Sequence, residues 1–206
     1  VEWGDWDWDY DLDLAVGNLG GPNRVYENSG GALAADAVWS SAESDSTTSI
    51  AWGHWNLDSW LDLAVGNAGQ PNRVYQNIGG DLDASAAWSS AESDSTTSIA
   101  WGDVDGDSLW HDLAVGNEGF NRVYMNGWSG LQLMWTSDDG DVTADIALGD
   151  VDGDGDLDLA AGNWGANRVY VYDSTAFPYL QAAWVSVEAE DTRGVAWGDW
   201  DGDGDL

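Results

Sequence analysis

The chain has 206 residues, and its 38 Asp and Glu against 5 Lys and Arg give a formal net charge of -33. So few basic residues exclude binding to a nucleic-acid backbone, which requires clustered Lys and Arg. The chain is long enough to bury a core, with 43% hydrophobic residues and 16 tryptophans. No apolar run approaches the roughly 18 residues of a membrane helix, so no membrane insertion is expected.

The sequence is a tandem repeat. Each unit contains Trp-Gly-Asp, an acidic loop, Asp-Leu-Ala-Val-Gly-Asn, Asn-Arg-Val-Tyr and a Gly-rich turn. Successive units begin 47 or 49 residues apart, at the anchors Trp3, Trp52, Trp101, Leu148 and Trp197. Residues 39–53 recur unchanged as 88–102, which indicates that the units perform the same task. We predict one repeat segment, 1–206, with complete units 1–49, 50–98, 99–145 and 146–194 and a partial unit 195–206.

Short β-rich runs between clusters of Gly, Asn, Asp and Ser predict four strands in each unit. In the second unit these are about 49–53, 61–65, 73–76 and 86–89. No segment has the apolar 3.6-residue period of a helix. The prediction is an all-β fold of propeller blades with four antiparallel strands each: four complete repeats plus the first strand of a fifth. A closed four-bladed ring has no use for that extra strand, so we expect part of a larger propeller or repeat assembly.

Each acidic loop lies between the first two predicted strands. In the fourth unit it carries Asp150, Asp152, Asp154, Asp156 and Asp158, with Gly at two of the intervening positions. Alternate acids on a tight loop bring their oxygens to one point, and Ca²⁺ prefers six to eight oxygen ligands. Side chains at positions 1, 3, 5 and 9, with the carbonyl at position 7, form the predicted site. Solvated acidic turns without an ion are the alternative.

The unit resembles the FG-GAP/VCBS repeat of integrin-type β-propellers through Trp-Gly-Asp-x-Asp-Gly-Asp, Asp-Leu-Ala-Val-Gly-Asn and Asn-Arg-Val-Tyr. The resemblance covers the whole chain. It implies Ca²⁺ in the Asp-rich loops, a ring that usually has seven blades, and an extracellular or surface-exposed protein used in adhesion, ligand binding or as a scaffold. The ligands implied for each loop in turn are Asp5, Asp7, Asp9, Asp11 (through its carbonyl) and Asp13; Asn56, Asp58 and Asp62; Asp103, Asp105, Asp107 and Asp112; Asp150, Asp152, Asp154, Asp156 and Asp158; and Asp199, Asp201 and Asp203.

Two of these loops depart from the pattern. His54 opens the second loop, and neutral imidazole is a poor match for a hard cation, so a weak or empty site is expected there. In the third loop an extra residue puts Asp112 one place late, with His111 where an Asp is expected. The fourth loop is the best preserved.

Arginine and tryptophan also recur at fixed positions. Arg24, Arg73, Arg122 and Arg168 each lie in Asn-Arg-Val-Tyr, where a structural ion pair with a neighbouring acid is favoured over ligand recognition. The tryptophans of the first and fourth strands are predicted to pack between blades: Trp3, Trp39, Trp52, Trp88, Trp101, Trp135, Trp184 and Trp197. Those in or near loops are open to packing or to binding a sugar or another chain: Trp6, Trp8, Trp55, Trp60, Trp110, Trp128, Trp164 and Trp200.

The predicted function follows from the metal loops and the repeats. We expect a calcium-stabilised, extracellular or cell-surface propeller that serves as a structural scaffold or adhesion module and assembles with further repeats or other copies of itself. Without Cys, Lys or a Gly-rich phosphate loop, the chain is not expected to be an enzyme. The alternatives are a carbohydrate-binding, lectin-like propeller with a glycan or protein ligand and, less favoured, a polysaccharide-active enzyme that uses two carboxylates.

Overall fold

The computed structural model describes residues 1–176, 179–202 and 206, and it consists of β-strands joined by turns and loops. The strands are β1 (Glu2–Gly4), β2 (Asp13–Val16), β3 (Arg24–Tyr26), β4 (Trp39–Ser40), β5 (Thr47–Gly53), β6 (Asp62–Asn67), β7 (Arg73–Tyr75), β8 (Trp88–Ser89), β9 (Thr96–Gly102), β10 (Asp112–Asn117), β11 (Arg122–Met125), β12 (Gln132–Thr136), β13 (Val142–Gly149), β14 (Asp158–Tyr172) and β15 (Leu180–Asp191). The described part of the chain contains no helix with the length and apolarity that a membrane span requires. The all-β prediction is confirmed.

The chain divides into two compact units, Val1–Thr96 and Thr97–Leu206. The first unit holds the sheets β1-β2-β3-β4 and β5-β6-β7-β8, and the second holds β9-β10-β11-β12 and β13-β14-β15. Strands that follow one another in the chain are neighbours in the sheet, and they pair antiparallel. This meander of short strands is the arrangement predicted for a propeller blade.

The fourth sheet has three strands because β14 spans the positions of the second and third. The turn between those positions is kept inside β14, since the Asn163 N–H donates to Asn167 Oδ1 at 2.9 Å. The same bond, from Asn117 N–H to Asn121 Oδ1 at 3.0 Å, closes the turn between β10 and β11. The long β15 continues past this turn and pairs with 164–166, so the strand runs through it without a break.

The core of each unit lies between its two sheets. β6 is buried at every residue, as expected for a central strand covered on both faces. In the first unit Trp39 packs edge-on against Tyr75 of the next sheet, with ring centroids 5.2 Å apart. In the second unit Trp135 and Tyr170 form the equivalent pair at 4.9 Å. The fourth strand of one sheet therefore packs against the third strand of the next, which confirms the predicted packing role of these two tryptophans.

Glycine at the end of the first strand allows each sheet to approach its neighbour. A Cβ on this glycine would lie 2.6–2.7 Å from a side-chain carbon of the anchor residue of the next repeat. The pairs are Gly4 with Trp52, Gly102 with Leu148, and Gly149 with Trp197. The Trp-Gly sequence is thus half of an inter-sheet contact: the anchor fills the space that the preceding glycine leaves open.

The predicted first strand of the fifth sequence repeat is not formed in the described residues 192–202. This segment nevertheless lies along β13, because Val195 N–H donates to Asp145 Oδ2 at 3.1 Å and Trp197 Nε1–H donates to the Ala147 carbonyl at 3.2 Å. In the other repeats the first strand pairs through backbone hydrogen bonds with the second strand of the same sheet. Among the described residues no strand pairs with this segment in that way.

Replacing Gly4 by Ala is expected to lower the free energy of unfolding by about 1–3 kcal/mol, because the new methyl group overlaps the rigid Trp52 ring. Gly21→Ala is the matched control, since the nearest atom to its added Cβ is 3.9 Å away. Urea unfolding followed by tryptophan fluorescence measures both. Equal midpoints for the two variants would show that the Gly4 contact with Trp52 does not limit the approach of the sheets.

Candidate functional site

Each acidic loop connects the first two strands of a sheet and ends at an aspartate that begins the second strand. These aspartates are at most 1% exposed: Asp13, Asp62, Asp112 and Asp158. In the second loop, Asp62 Oδ2 accepts the Trp55 N–H at 2.9 Å and Oδ1 accepts the Asn77 N–H at 2.8 Å. The carboxylate thus fastens the start of its own loop to the residue that follows the third strand. The other three repeat both bonds.

Burial raises the pKa of these carboxyl groups, because the charged form loses its hydration. The pKa rises to about 6 for Asp13 and Asp62 and to about 7 for Asp112. The hydrogen bonds from backbone N–H groups offset only part of this rise. Nearby acids of the loop raise the pKa further, Asp7 in the case of Asp13 and Asp105 in the case of Asp112. Positive charge in the loop would therefore relieve an electrostatic cost.

Asp112 occupies the usual structural place in the third loop although that loop is one residue longer. Its Oδ2 accepts the Val104 N–H at 2.8 Å and its Oδ1 accepts the Asn126 N–H at 2.7 Å, so it holds the same structural place as Asp62. Asp112 holds this place although it comes one residue later in its loop than Asp62 does, and His111 stands at the ninth position of the loop. The loop absorbs the extra residue before Asp112, in a stretch where Ser108 has a φ of 56°.

Three loops bring predicted ligands together. Within each group, one carboxylate oxygen per residue lies within 4.8 Å of those of the others. The groups are Asp5, Asp7 and Asp13; Asp103, Asp105 and Asp107; and Asp150, Asp152 and Asp158. A further group joins Asp7 and Asp9 to Glu27. Sequence reasoning missed Glu27 because the position is not acidic in the other repeats, where Gln76 and Met125 stand in its place.

Other predicted ligands lie outside these groups or make hydrogen bonds within their loops. Asp11 Oδ2 accepts the Gly30 N–H at 2.5 Å, and Asp154 Oδ1 accepts the Asp156 N–H at 3.1 Å. Asp156 is directed toward the third loop, where a Cβ on Gly106 would collide with its Oδ1. Burial, together with Asp154 and two acids of the third loop, raises the pKa of Asp156.

The second and fifth loops contribute no group of three acids among the described residues. In the second, Asn56 Oδ1 accepts the Asp58 N–H at 2.8 Å and Asp58 Oδ1 accepts the Trp60 N–H at 3.0 Å, so the loop is closed by its own hydrogen bonds. In the fifth, Asp199 Oδ1 accepts the Gly202 N–H at 2.6 Å. Asp201 joins no group, and Asp203 lies outside the described residues.

The chemistry of the three groups fits a hard divalent cation. Asp5 Oδ1 and Asp103 Oδ1 are buried oxygens without a hydrogen-bond partner, and each belongs to a group of converging carboxylates. A buried, unsatisfied carboxylate oxygen is costly unless a cation or donor meets it. All-oxygen ligands suit Ca²⁺ or Mg²⁺, and the irregular spacing of a flexible loop suits the larger ion.

The arginines of Asn-Arg-Val-Tyr contact acids that end the preceding repeat. Arg73 Nε lies 2.5 Å from Asp45 Oδ2, and Arg168 Nη2 lies 3.1 Å from Asp141 Oδ2. The tyrosine of the motif takes part, since Tyr75 Oη donates to Glu43 Oε2 at 3.0 Å. The predicted structural ion pair is confirmed for Arg73 and Arg168.

Of the eight loop tryptophans, two are buried, four are exposed, and Trp55 and Trp60 are partly buried. Trp6 and Trp110 are 8% and 9% exposed and belong to the core. The rings of Trp8, Trp128, Trp164 and Trp200 are 44–94% exposed. Trp8 stacks on Trp60 with centroids 4.9 Å apart, so two loops of the first unit present an aromatic pair beside the acidic groups.

Asp62→Ala is expected to destabilise the protein by about 2–5 kcal/mol, because it leaves the Trp55 and Asn77 N–H groups buried without an acceptor. Asp83→Ala is the control, since Asp83 is exposed. Urea unfolding should give the same loss for Asp62→Ala with calcium and with chelator, since the second loop has no acidic group for an ion. A loss confined to calcium-containing buffer would contradict the structural role.

The comparisons with known proteins agree with this architecture. A family model described as FG-GAP-like repeat matches residues 54–109 and 150–206, which is more than half of the chain. Among curated proteins there is no match. A chain of the crystal structure of BBS1N in complex with ARL6DN, soaked with lead, is similar in fold, with 15% identity and a TM-score of 0.52 over 90% of this chain and 67% of that chain.

The same complex soaked with mercury gives 15% identity and a TM-score of 0.49, over 90% of this chain and 64% of that chain. At such identity only the fold is shared, and it supports sheets arranged as propeller blades. The repeated motifs, the matched residues and the four meander sheets lead to one assignment. The chain belongs to the family of FG-GAP-like repeat proteins.

Proposed function

We propose that this chain is a calcium-binding β-propeller scaffold that works in adhesion at the cell surface or outside the cell. The observation that carries the proposal is the convergence of three aspartates in each of three equivalent loops. Every loop is anchored at its end by the buried aspartate of the second strand. An ion held there would tie the loop to the sheet and make the surface of the blade rigid.

Charge supports the same conclusion. The net charge is -33, and each bound Ca²⁺ would offset two negative charges where carboxylates lie closest. Like charges a few ångströms apart repel strongly in a partly buried loop. A site with a Kd of about 10⁻⁴ M in about 1 mM Ca²⁺ would stabilise the fold by about 1.4 kcal/mol. The proposed location outside the cell or at its surface rests on the resemblance to the FG-GAP/VCBS repeat.

A scaffold role agrees with the repetition of the loops. The complete repeats share the same buried aspartate, and the same inter-sheet contact recurs within both compact units, whereas an active site assembles different residues from different places. We therefore assign the chain to a non-enzymatic class. In this role the chain provides a rigid surface of sheets and loops to which other molecules bind.

Asp103→Asn is expected to lower the calcium stoichiometry by one, because Asp103 supplies a buried, unpartnered oxygen to its group. Asp58→Asn, in the loop without an acidic group of three, is expected to leave the stoichiometry unchanged. Isothermal titration calorimetry on the calcium-free chain measures both. The proposal would be falsified if the chain took up no calcium at millimolar concentration or if the two variants lost the same number of sites.

A lectin-like function is the second candidate, favoured by the aromatic pair of Trp8 and Trp60. Trp8 is 53% exposed, and a Cβ on Gly80 would contact both Trp60 and the backbone of Asp7. An exposed ring next to carboxylates is suited to stacking on a sugar whose hydroxyls donate to the acids.

Trp8→Ala is expected to abolish glycan binding if the lectin function is correct, because it removes the exposed stacking ring. Leu57→Ala is the control, as Leu57 is also exposed in an acidic loop. A glycan array probed with the wild-type chain and both variants decides the matter. Absence of binding by the wild-type chain, or equal binding by all three proteins, would count against a lectin.

A further inference from the structure

We propose that copies of this chain associate head to tail, with the sheet β1–β4 of one copy seated against the sheet β13–β15 of another. The proposal follows from a contact that each unit already makes internally between its two sheets. It does not depend on calcium in the loops, and so it stands apart from the proposed function.

The internal contact has a polar part. An arginine and a tyrosine on the third strand of one sheet hold acids that follow the fourth strand of the sheet before it. In the first unit Arg73 pairs with Asp45 and Tyr75 donates to Glu43. In the second unit Arg168 pairs with Asp139 and Asp141, and Tyr170 donates to Asp139. The guanidinium side chains are covered by this contact, at 19% and 21% exposed.

The internal contact also has an aromatic part. The tryptophan of the fourth strand packs edge-on against the same tyrosine, as Trp39 does on Tyr75 and Trp135 on Tyr170. All four rings are buried, with exposures of 8%, 1%, 4% and 1%. Two separate pairs of sheets thus use one recognition surface, which makes it a template for a third pairing.

The sheet β13–β15 presents the acidic half of this template, and no described residue pairs with it in the way that Arg73 and Tyr75 pair with Asp45 and Glu43. Trp184 stands at the position of Trp39 but is 53% exposed. Ser186 Oγ donates to the Glu188 carbonyl at 2.6 Å, as Ser41 Oγ donates to the Glu43 carbonyl at 2.8 Å, so Glu188 corresponds to Glu43. Glu190, two residues on, corresponds to Asp45, and it is exposed. Apart from Leu180 and Ser186, every residue of β15 is exposed.

The sheet β1–β4 presents the other half. Arg24 is exposed where its equivalents are covered, and Tyr26 is only partly buried, whereas Tyr75 is 1% exposed. Trp3, the anchor residue of the first repeat, is 51% exposed. The two faces carry opposite charges and the two halves of the tyrosine–tryptophan pair. Placed as the internal pairs are, Arg24 meets Glu190, and Tyr26 meets Glu188 and Trp184.

Because the two faces differ, the interface is heterologous, and copies add in one direction. The segment Val195–Trp197 already lies along β13, held by bonds to Asp145 and Ala147. Residues 197–201 have the same sequence, Trp-Gly-Asp-Trp-Asp, as residues 3–7. We assign Val195–Trp197 the place of the first strand of the incoming sheet, so that the short β1 of the incoming copy gives way to it.

Charge reversal at each face tests the interface in sedimentation velocity, at about 0.15 M salt to screen the overall repulsion. The wild-type chain should associate as its concentration rises. Arg24→Glu and Glu190→Arg should each weaken association about tenfold or more, since a like-charge pair replaces an ion pair. Asp81→Arg makes the same change of charge as Glu190→Arg at an exposed position away from both faces and should have no effect.

Mixing the two variants gives the decisive result. Arg24→Glu carries an acid at both faces and Glu190→Arg carries an arginine at both, so each face of one variant meets an opposite charge on the other. The mixture should therefore associate with the two variants in alternation. The double variant Arg24→Glu/Glu190→Arg should recover association. A monomeric wild-type chain at every concentration, or variants that associate no better together than alone, would overturn the proposal.

The strand assignment has its own measurement in the same experiment. Trp197→Ala should weaken association about tenfold, because the Trp197 ring lies in the interface. Trp3→Ala should leave association unchanged, because β1 and its Trp3 ring are displaced from the interface. The reverse result would overturn the assignment and show that β1 of the incoming copy replaces Val195–Trp197.

Discussion

A buried carboxylate at the start of each second strand accepts two backbone N–H groups, one from the acidic loop and one from beyond the third strand. Asp62 shows the arrangement with bonds of 2.9 and 2.8 Å. Without it the start of the loop would lose this bond to the sheet, and two donors would be left unpaired. The remaining acids of the loop can converge because this one residue is fixed. Fold and candidate metal site therefore depend on the same side chain.

The sheets are joined by a second set of repeated contacts, and none of them is satisfied within a single repeat. The anchor Trp52 packs on Gly4 of the preceding repeat, and Arg73 pairs with Asp45, which also precedes its own sheet. A blade covers its faces only by contact with neighbours, as in other repeat architectures. The exposed Trp184 and Arg24 mark faces where that contact is missing, and both belong to the proposed interface between copies.

Calcium and assembly would act on different parts of the blade. The acidic groups lie in the loops between first and second strands, whereas the acids that meet arginine follow the fourth strand. In a chain with a net charge of -33, bound ions would reduce the repulsion within a loop, and the arginine ion pairs reduce the repulsion between sheets. This division is why the calcium and interface experiments have separate outcomes.

Local pattern determined much of this protein from the sequence alone. Periodicity predicted the repeats, turn residues predicted the strands, and the alternating acids predicted the carboxylate groups of the first, third and fourth loops. Tertiary structure decided what depends on neighbours distant in the chain. Glu27 joins Asp9 only because β2 and β3 pair, Asp112 keeps its place because the backbone donors that it meets are fixed, and 195–197 forms no strand because a ladder needs a partner. Burial and pairing are properties of the assembled sheets, so no local pattern could predict them.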